Sequence, residues 1–156
     1  METLGDMTLE KFLEFNYLGK LDVSPDQKKA AFVKSVANYE KNEYEQTLYL
    51  YENEQISKLK KIGKNNDFKF LNNQELILNM QKNKKERTAL KETMNQSYYR
   101  FALLERTLEK AFTLPFPASI EEVIDDDTLL LSANMTEAAH VLYEGTKQAR
   151  EDYLKE

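Results

Sequence analysis

The chain has 156 residues, a net charge of −5, 41% hydrophobic and 31% charged residues, and no cysteine. This length suffices for one domain with a hydrophobic core, and the composition is typical of a soluble globular protein rather than a disordered one. The lack of cysteine excludes disulfides and thiolate metal sites, and the acidic net charge argues against nucleic acid as the main partner. The first residues lack a basic start followed by an apolar run, and no stretch approaches about 18 apolar residues. We therefore expect a soluble, cytoplasmic protein without a secretory signal or a membrane span.

The chain opens with a predicted helix. Thr8 can cap a helix from Leu9 to Tyr17, whose apolar residues share one face. Residues 1–18 are therefore predicted to form a helical lead-in to the main domain.

A hairpin unit then occurs three times, over residues 23–32, 70–78 and 123–131. Each unit has an apolar stretch, a short turn rich in Asp or Asn, and an apolar strand. The second and third units align without a gap, and the first aligns with one extra residue. Asp and Asn suit such turns because their side chains bond nearby backbone groups and tolerate left-handed dihedral angles.

Two more apolar strands follow each of the first two hairpins, and the same pattern starts after the third. They are predicted at Thr47–Tyr51, Gln55–Leu59, Tyr98–Leu103, Thr107–Phe112 and, after the third hairpin, from His140 to Tyr143. Four antiparallel strands repeated every 40 to 50 residues or so is the period of a β-propeller blade. The prediction is an all-β, mainly antiparallel partial propeller with blades over residues 19–64, 65–116 and 117–145, the last incomplete, and a charged helix over residues 146–156.

Residues 83–112 also allow a helical interpretation. They are rich in Ala, Leu, Lys and Glu, and Leu104, Leu108, Ala111 and Phe112 could form one face of a helix. The gapless repeat and the Tyr-Tyr-Arg-Phe run favour strands, so the strand interpretation is preferred.

The order of several segments resembles the propeller domain of prolyl oligopeptidase-family (S9) serine peptidases, with the acylaminoacyl-peptidase-like branch closest. These segments are LGKLDVSPDQKKAAFVKS, TLYLYENEQISKL, YYRFALLERTLEKAFTLPFP, IDDDTLLLSANM and EGTKQAREDYLKE. The resemblance implies a propeller of seven or eight blades followed by an α/β-hydrolase domain with a Ser-Asp-His triad, of which this chain would be a fragment of about three blades. Gln27 and Glu54 depart from the family, which has glycine there because glycine adopts a positive φ without strain.

The sequence offers no catalytic, cofactor-binding or metal-binding residue. None of its four glycines brackets a serine in the Gly-x-Ser-x-Gly motif that an α/β-hydrolase nucleophile requires. His140 is the only histidine and is interpreted as the polar end of a strand. The acidic residues Glu121, Glu122 and Asp125–Asp127 lack the spacing and glycine of a calcium loop, which favours a solvated turn. The basic residues in the middle of the chain could meet a phosphate-rich partner, but lysines that protect turns and strand edges are the favoured interpretation. They are Lys58, Lys60, Lys61, Lys64, Lys82, Lys84, Lys85 and Arg87.

A long polar insert over Asn38–Gln46, between the second and third strands of the first blade, is the predicted functional surface. By family resemblance the propeller restricts access of large substrates, so Asn38, Tyr39 and Tyr44 become a candidate substrate-gating loop. The predicted partners are a C-terminal α/β-hydrolase domain absent from this sequence, peptides bound weakly, and a second copy of the chain through exposed strand edges. The alternative is a free-standing β-repeat module that binds other proteins through its loops and edges.

Overall fold

The computed structural model describes residue 11 and residues 13–63 and 67–134. The chain divides into two compact units, Met1–Asn65 and Asn66–Glu156. No helix in the described part is both long enough and apolar enough to cross a membrane.

The first unit is one four-stranded antiparallel sheet whose strands follow each other in chain order. Its strands are β1 (Asn16–Val23), β2 (Lys29–Asn38), β3 (Glu43–Glu52) and β4 (Gln55–Ile62). Alternation of apolar side chains along β2 and β3 puts Ala31, Val33, Leu48 and Leu50 on the same side, where each is at most 3% exposed. Burial of this row fixes the register, since a slip by one residue would turn it to the opposite side.

The second unit contains a second four-stranded antiparallel sheet, a two-stranded hairpin and a helix. The sheet consists of β5 (Phe68–Phe70), β6 (Glu75–Asn79), β7 (Gln96–Ala102) and β8 (Thr107–Leu114); the hairpin of β9 (Ser119–Asp125) and β10 (Thr128–Ser132). Helix α1 (Lys84–Thr93) lies in the connection from β6 to β7. The predicted all-β, mainly antiparallel fold class is therefore confirmed.

The predicted repeat of the hairpin turn is confirmed at the level of single hydrogen bonds. One Asp or Asn side chain in each of the three hairpins accepts a hydrogen bond from the backbone N–H two residues later. These bonds run from Lys28 to Asp26 at 3.1 Å, from Gln74 to Asn72 at 2.9 Å and from Asp127 to Asp125 at 2.9 Å. The three hairpins thus close with the same side-chain turn.

A β-bulge recurs at the same register in both four-stranded sheets. In the first sheet the pairing of the last two strands shifts between Leu48 and Tyr49, and in the second between Tyr98 and Tyr99. Hairpin register makes Phe32 equivalent to Leu78, and Leu48 equivalent to Tyr98. The two sheets are therefore copies of one backbone pattern.

This equivalence defines two faces for each sheet. The front face carries Phe32 in the first sheet, Leu78 in the second and Leu131 in the β9–β10 hairpin. The back face carries the residue before each of these, which is Ala31 in the first sheet, Ile77 in the second and Leu130 in the hairpin. In the second unit, front-face residues of the hairpin pack on the back face of the second sheet. The apolar cluster they form comprises Leu71, Ile77, Tyr98, Phe112, Leu114, Ile120, Val123, Leu129 and Leu131.

The predictions for helices need correction. Residues 83–112 are neither one helix nor only strands: α1 occupies Lys84–Thr93, and the predicted strands follow as β7 and β8. The helix predicted from Leu9 to Tyr17 is wrong at its C-terminal end, because Tyr17 lies in β1 and pairs with Ser35, and most of its other residues lie outside the described part. The strand from His140 and the helix over residues 146–156 also lie outside the described residues.

Candidate functional site

The connection between the second and third strands differs strongly between the two sheets. In the first sheet it is a short turn from Tyr39 to Asn42, closed by a hydrogen bond of 3.2 Å from the N–H of Asn42 to the carbonyl of Tyr39. In the second sheet it spans residues 80–95 and contains α1. Both connections join the same two strands of the repeat, so they are equivalent in the pattern.

The predicted gating residues lie around the first of these connections. Asn38 ends β2, Tyr39 is exposed in the turn, and Tyr44 lies in β3. The predicted length of the insert was wrong, since Asn38 pairs with Glu43 and the ladder continues through Gln46. Polar residues extend the strands here because their side chains bond one another across the sheet.

Glu45 is the centre of these bonds. Its carboxylate accepts hydrogen bonds from Lys61 at 2.7 Å, from Asn38 at 2.8 Å and from Lys41 at 3.3 Å. The bond from Lys61, followed by those from Asn38 and Lys41, lowers the pKa of Glu45 to about 2. The carboxylate therefore stays ionised at neutral pH and holds the turn to β4.

An aromatic pair lies beside this turn. The rings of Tyr17 and Tyr44 meet edge to face with centroids 5.8 Å apart, which is a favoured aromatic geometry. Desolvation, and then the neighbouring Tyr44, raise the pKa of the Tyr17 hydroxyl. Tyr17, Tyr39 and Tyr44 are all exposed, so this end of the first sheet offers aromatic surface to a ligand.

The second connection is anchored by Glu86. At the start of α1 the side chain of Asn83 accepts a hydrogen bond from the N–H of Glu86 at 3.0 Å, and the carboxylate of Glu86 accepts one from the N–H of Lys82 at 2.7 Å. This arrangement resembles a capping box, except that Glu86 bonds the N–H of Lys82 and not that of the N-cap residue Asn83. The helix ends at Met94, which has a left-handed φ of 57°.

The same carboxylate ties α1 to the second sheet. It accepts hydrogen bonds from the hydroxyl of Tyr99 and, at 3.0 Å, from the ammonium group of Lys110. Burial would raise the pKa of Glu86, but the hydrogen bonds from Tyr99, Lys82 and Lys110 outweigh it and lower that pKa. Burial, and then Glu86, raise the pKa of Tyr99 to about 12.

Sequence reasoning missed α1 as a separate helix in the connection from β6 to β7. The signal that identifies it is the pair Asn83 and Glu86, three residues apart, followed by residues with high helix propensity. Four of the predicted turn lysines and arginines lie in or just before this helix: Lys82, Lys84, Lys85 and Arg87. Lys58, Lys60 and Lys61 instead lie on β4, an edge strand of the first sheet, and their protection of that edge stays a prediction.

A cleft of about 550 Å³ lies on the back face of the second sheet. Arg100 donates to Glu75 at 2.9 Å, and Asn72 donates to Glu75 at 3.0 Å and to Asp126 at 3.2 Å. The bond from Asn72, and then that from Arg100, lower the pKa of Glu75. The network links the turn of the β5–β6 hairpin to that of β9–β10, which gives it a structural role.

The other residues considered in the sequence offer no further site. Asp125–Asp127 form the exposed turn of the β9–β10 hairpin, as predicted for a solvated turn. Within the described ranges no group of three or more His, Asp or Glu residues is placed to hold a metal ion. His140 lies outside those ranges.

The solved structures that are similar to this chain include two Pyrococcus proteins. One is the β-propeller domain of the Trilobed protease from Pyrococcus furiosus, described as having an open velcro topology, with 14% sequence identity and a TM-score of 0.47. The match covers 69% of this chain and 31% of that one. The other is an acylaminoacyl peptidase from Pyrococcus horikoshii, with 18% identity, a TM-score of 0.45, and coverage of 69% of this chain and 16% of that one. No family model and no curated protein matches the chain.

Proposed function

We propose that the chain is a non-catalytic propeller segment of a cytoplasmic serine peptidase of the prolyl oligopeptidase family. The observation that carries this proposal is the repeat within the chain itself. Two four-stranded antiparallel sheets share one bulge position, and three hairpins share one side-chain turn. Such a repeat, at the period of a propeller blade, agrees with the segment order that resembles this family.

In this proposal the chain controls access of peptides to a catalytic domain that lies elsewhere in the polypeptide. The sequence has no Gly-x-Ser-x-Gly motif, so the nucleophile has to come from outside these 156 residues. The connection from β2 to β3 in the first sheet forms the proposed gate, and it offers exposed aromatic residues. The equivalent connection in the second sheet is a separate surface, a helix fixed to its own sheet through Glu86.

The first test is the reading frame that encodes the chain, combined with labelling of the native polypeptide by a fluorophosphonate probe. We expect the frame to continue into further blades and a Gly-x-Ser-x-Gly motif, with the label on that serine. The purified 156-residue chain should take up no label. A stop codon directly after Glu156, or a labelled residue within the chain, contradicts the proposal.

The gating role is tested by Tyr39→Ala and Tyr44→Ala in the native polypeptide. We expect kcat/KM for peptides of about 20 residues to change several-fold, while kcat/KM for a dipeptide ester stays within about twofold, because only long peptides must pass the loop. Tyr51→Ala is the matched control, since Tyr51 is similarly exposed but lies at the opposite end of β3. Equal effects on both substrates would contradict gating and leave the family assignment in place.

The exposed apolar groove of the first sheet, lined by Leu21, Phe32 and Ile56 among others, favours a second candidate function. A free-standing module that binds other proteins would present such a surface. A natural stop after Glu156 together with no fluorophosphonate-reactive partner would support this function over the first.

A further inference from the structure

The first sheet leaves its front face exposed although it is apolar. Leu21 is 70% exposed and Ile56 63% exposed, and Tyr51 is also exposed. These residues line a groove of about 470 Å³ together with Leu18, Gly19, Lys20, Ala30 and Phe32. Soluble proteins rarely leave a contiguous apolar surface of this kind without a partner.

The equivalent front face of the second sheet is buried. Leu76, Leu78, Tyr99 and Phe101 are each at most 3% exposed. The equivalent first-sheet residues are Ala30, Phe32, Tyr49 and Tyr51, none of which is fully buried. The pattern of side chains therefore suits a covered face in both sheets, but only the front face of the second sheet is buried.

The β9–β10 hairpin is exposed in the complementary way. Its front face packs on the back face of the second sheet, whereas Leu130 on its back face is 52% exposed. The neighbouring Ile124 is also exposed. Among the described strands, one front face and one back face thus remain open, and front-on-back packing is the arrangement that the second unit already contains.

The charges around the two open faces are opposite. Lys34 and Lys58 lie on the front face of the first sheet, opposite Thr47 and Tyr49 in the ladder, and Lys20 lines the groove. On the hairpin, Glu122 lies opposite Leu130, and the adjacent Glu121 is exposed. A front face would therefore repel another front face and attract the hairpin.

We propose that the chain associates head to tail with a second copy, so that the front face of the first sheet packs on the back face of the next copy's β9–β10 hairpin. Because the two surfaces differ, the contact is heterologous and leads to rings or open chains rather than to an isolated symmetric dimer. The inference rests on the second candidate function, a free-standing module, because in a polypeptide that continues into further blades the next blade would cover the hairpin face.

The test is light scattering and sedimentation velocity on the 156-residue chain from about 1 to 500 µM, a range chosen for weak to moderate contacts. We expect the mass of the wild type to rise beyond a dimer. Ile56→Glu blocks every front face and Leu130→Glu blocks every hairpin face, so each variant alone should be a monomer. An equimolar mixture should form a one-to-one dimer and nothing larger, because it retains one working front face and one working hairpin face.

Leu104→Glu is the matched control. Leu104 is 83% exposed in the β7–β8 turn and lies on neither surface, so this variant should associate like the wild type. Charge reversal adds a second measurement: Lys58→Glu or Glu122→Lys should each weaken association roughly fivefold, and the two together in one chain should restore it.

Three results would overturn the proposal. A wild-type chain that stays monomeric throughout shows that the faces do not meet. Loss of association with Ile56→Glu but not with Leu130→Glu shows a symmetric front-to-front dimer. Association that survives both substitutions shows pairing through strand edges.

Discussion

The two four-stranded sheets have the same strand order and bulge position, yet they differ in how much of their surface is buried. The second sheet buries Leu78 on its front face and Ile77 on its back face, whereas the first buries Ala31 on its back face and leaves Phe32 half-buried on its front. The residue types differ in the same way. The buried Phe101 of the second sheet corresponds to the exposed Tyr51 of the first, and a tyrosine at an exposed position can keep its hydroxyl in water. The repeat thus determines the backbone, while neighbouring layers determine which faces contribute to stability.

The polar contacts of the two sheets differ as well. In the second unit the hydroxyl of Tyr98 donates to the carbonyl of Ala118 at 2.7 Å, and the N–H of Ala118 donates to Gln96 at 2.9 Å, all within the interior. In the first sheet the main polar cluster surrounds Glu45 at the surface. Buried hydrogen bonds contribute more to stability than exposed ion pairs. Removing a polar group should therefore lower the free energy of unfolding more in the second unit than in the first.

The largest expected effect comes from shortening equivalent front-face residues. Phe101→Ala should lower the free energy of unfolding by about 3–5 kcal/mol, since Phe101 is only 2% exposed, whereas Tyr51→Ala should lower it by about 1 kcal/mol or less. Urea denaturation followed by circular dichroism measures both. Equal losses of unfolding free energy would show that the front face of the first sheet is covered in solution, for example by a second copy of the chain. In that case, dilution should separate the copies and make the loss for Tyr51→Ala smaller than that for Phe101→Ala.

A smaller effect is expected from removing the buried hydroxyl. Tyr98→Phe should cost about 1–2 kcal/mol, because the carbonyl of Ala118 loses its donor, while Tyr49→Phe in the first sheet should cost less than about 0.5 kcal/mol. Burial also raises the pKa of Tyr98 to about 12. A raised pKa means that the stabilisation is complete below about pH 10 and is lost as the pH rises toward 12. Tyr98→Phe should therefore reduce the alkaline loss of stability, and an unchanged alkaline transition would contradict this assignment.

The repeat and most strands could be predicted from sequence because both depend on local signals. Apolar alternation fixes the strands, and an Asp or Asn in each hairpin forms the turn that these residues favour. The turn from Tyr39 to Asn42 was predicted to be longer, since the bonds of Glu45 to Lys61 and Asn38 form only when the strands are paired. Helix α1 was missed although its signal, the pair Asn83 and Glu86, is local. The helical interpretation was applied to all of residues 83–112, and it was set aside because the second part of that range has the pattern of strands.

The burial of the faces could not be predicted from sequence. Val23 and Phe70 occupy equivalent positions and are both apolar, yet Val23 is exposed and Phe70 buried. Burial depends on which layer packs above each position, and a strand's own residues do not specify that layer. The open front face of the first sheet, and hence the proposed contact surface, emerges only from three-dimensional packing.

A smaller effect on stability is expected in the β3–β4 turn of the first sheet. Asn53 and Glu54 both have positive φ, 51° and 60°, as in a two-residue type I′ turn, for which glycine is preferred in the second position. The strain predicted where glycine is missing is thus present, and Glu54→Gly should raise the free energy of unfolding by about 0.5–1 kcal/mol. Asn53→Gly is the control and should change it less, because asparagine tolerates this conformation. A destabilised Glu54→Gly variant would mean that the glutamate side chain contributes more than its backbone costs.

The smallest effect is expected at Glu45, where the first sheet depends on exposed charge. Its pKa is lowered to about 2, first by the hydrogen bond from Lys61 and then by those from Asn38 and Lys41. A lowered pKa means that its stabilisation is present above about pH 4.5, the ordinary value for a glutamate, and is lost as the pH falls toward 2. Glu45→Gln should therefore make the free energy of unfolding of the first unit less dependent on pH in acid. Glu40→Gln is the control, because it removes a charge from the same turn without affecting these three bonds, and it should leave that pH dependence unchanged. Glu45 is near the surface, so 1 M salt should reduce the difference between the variants. NMR titration of the Glu45 carboxyl gives the direct measurement, and a midpoint near 4.5 would show that Lys61 and Asn38 do not hold the carboxylate in solution.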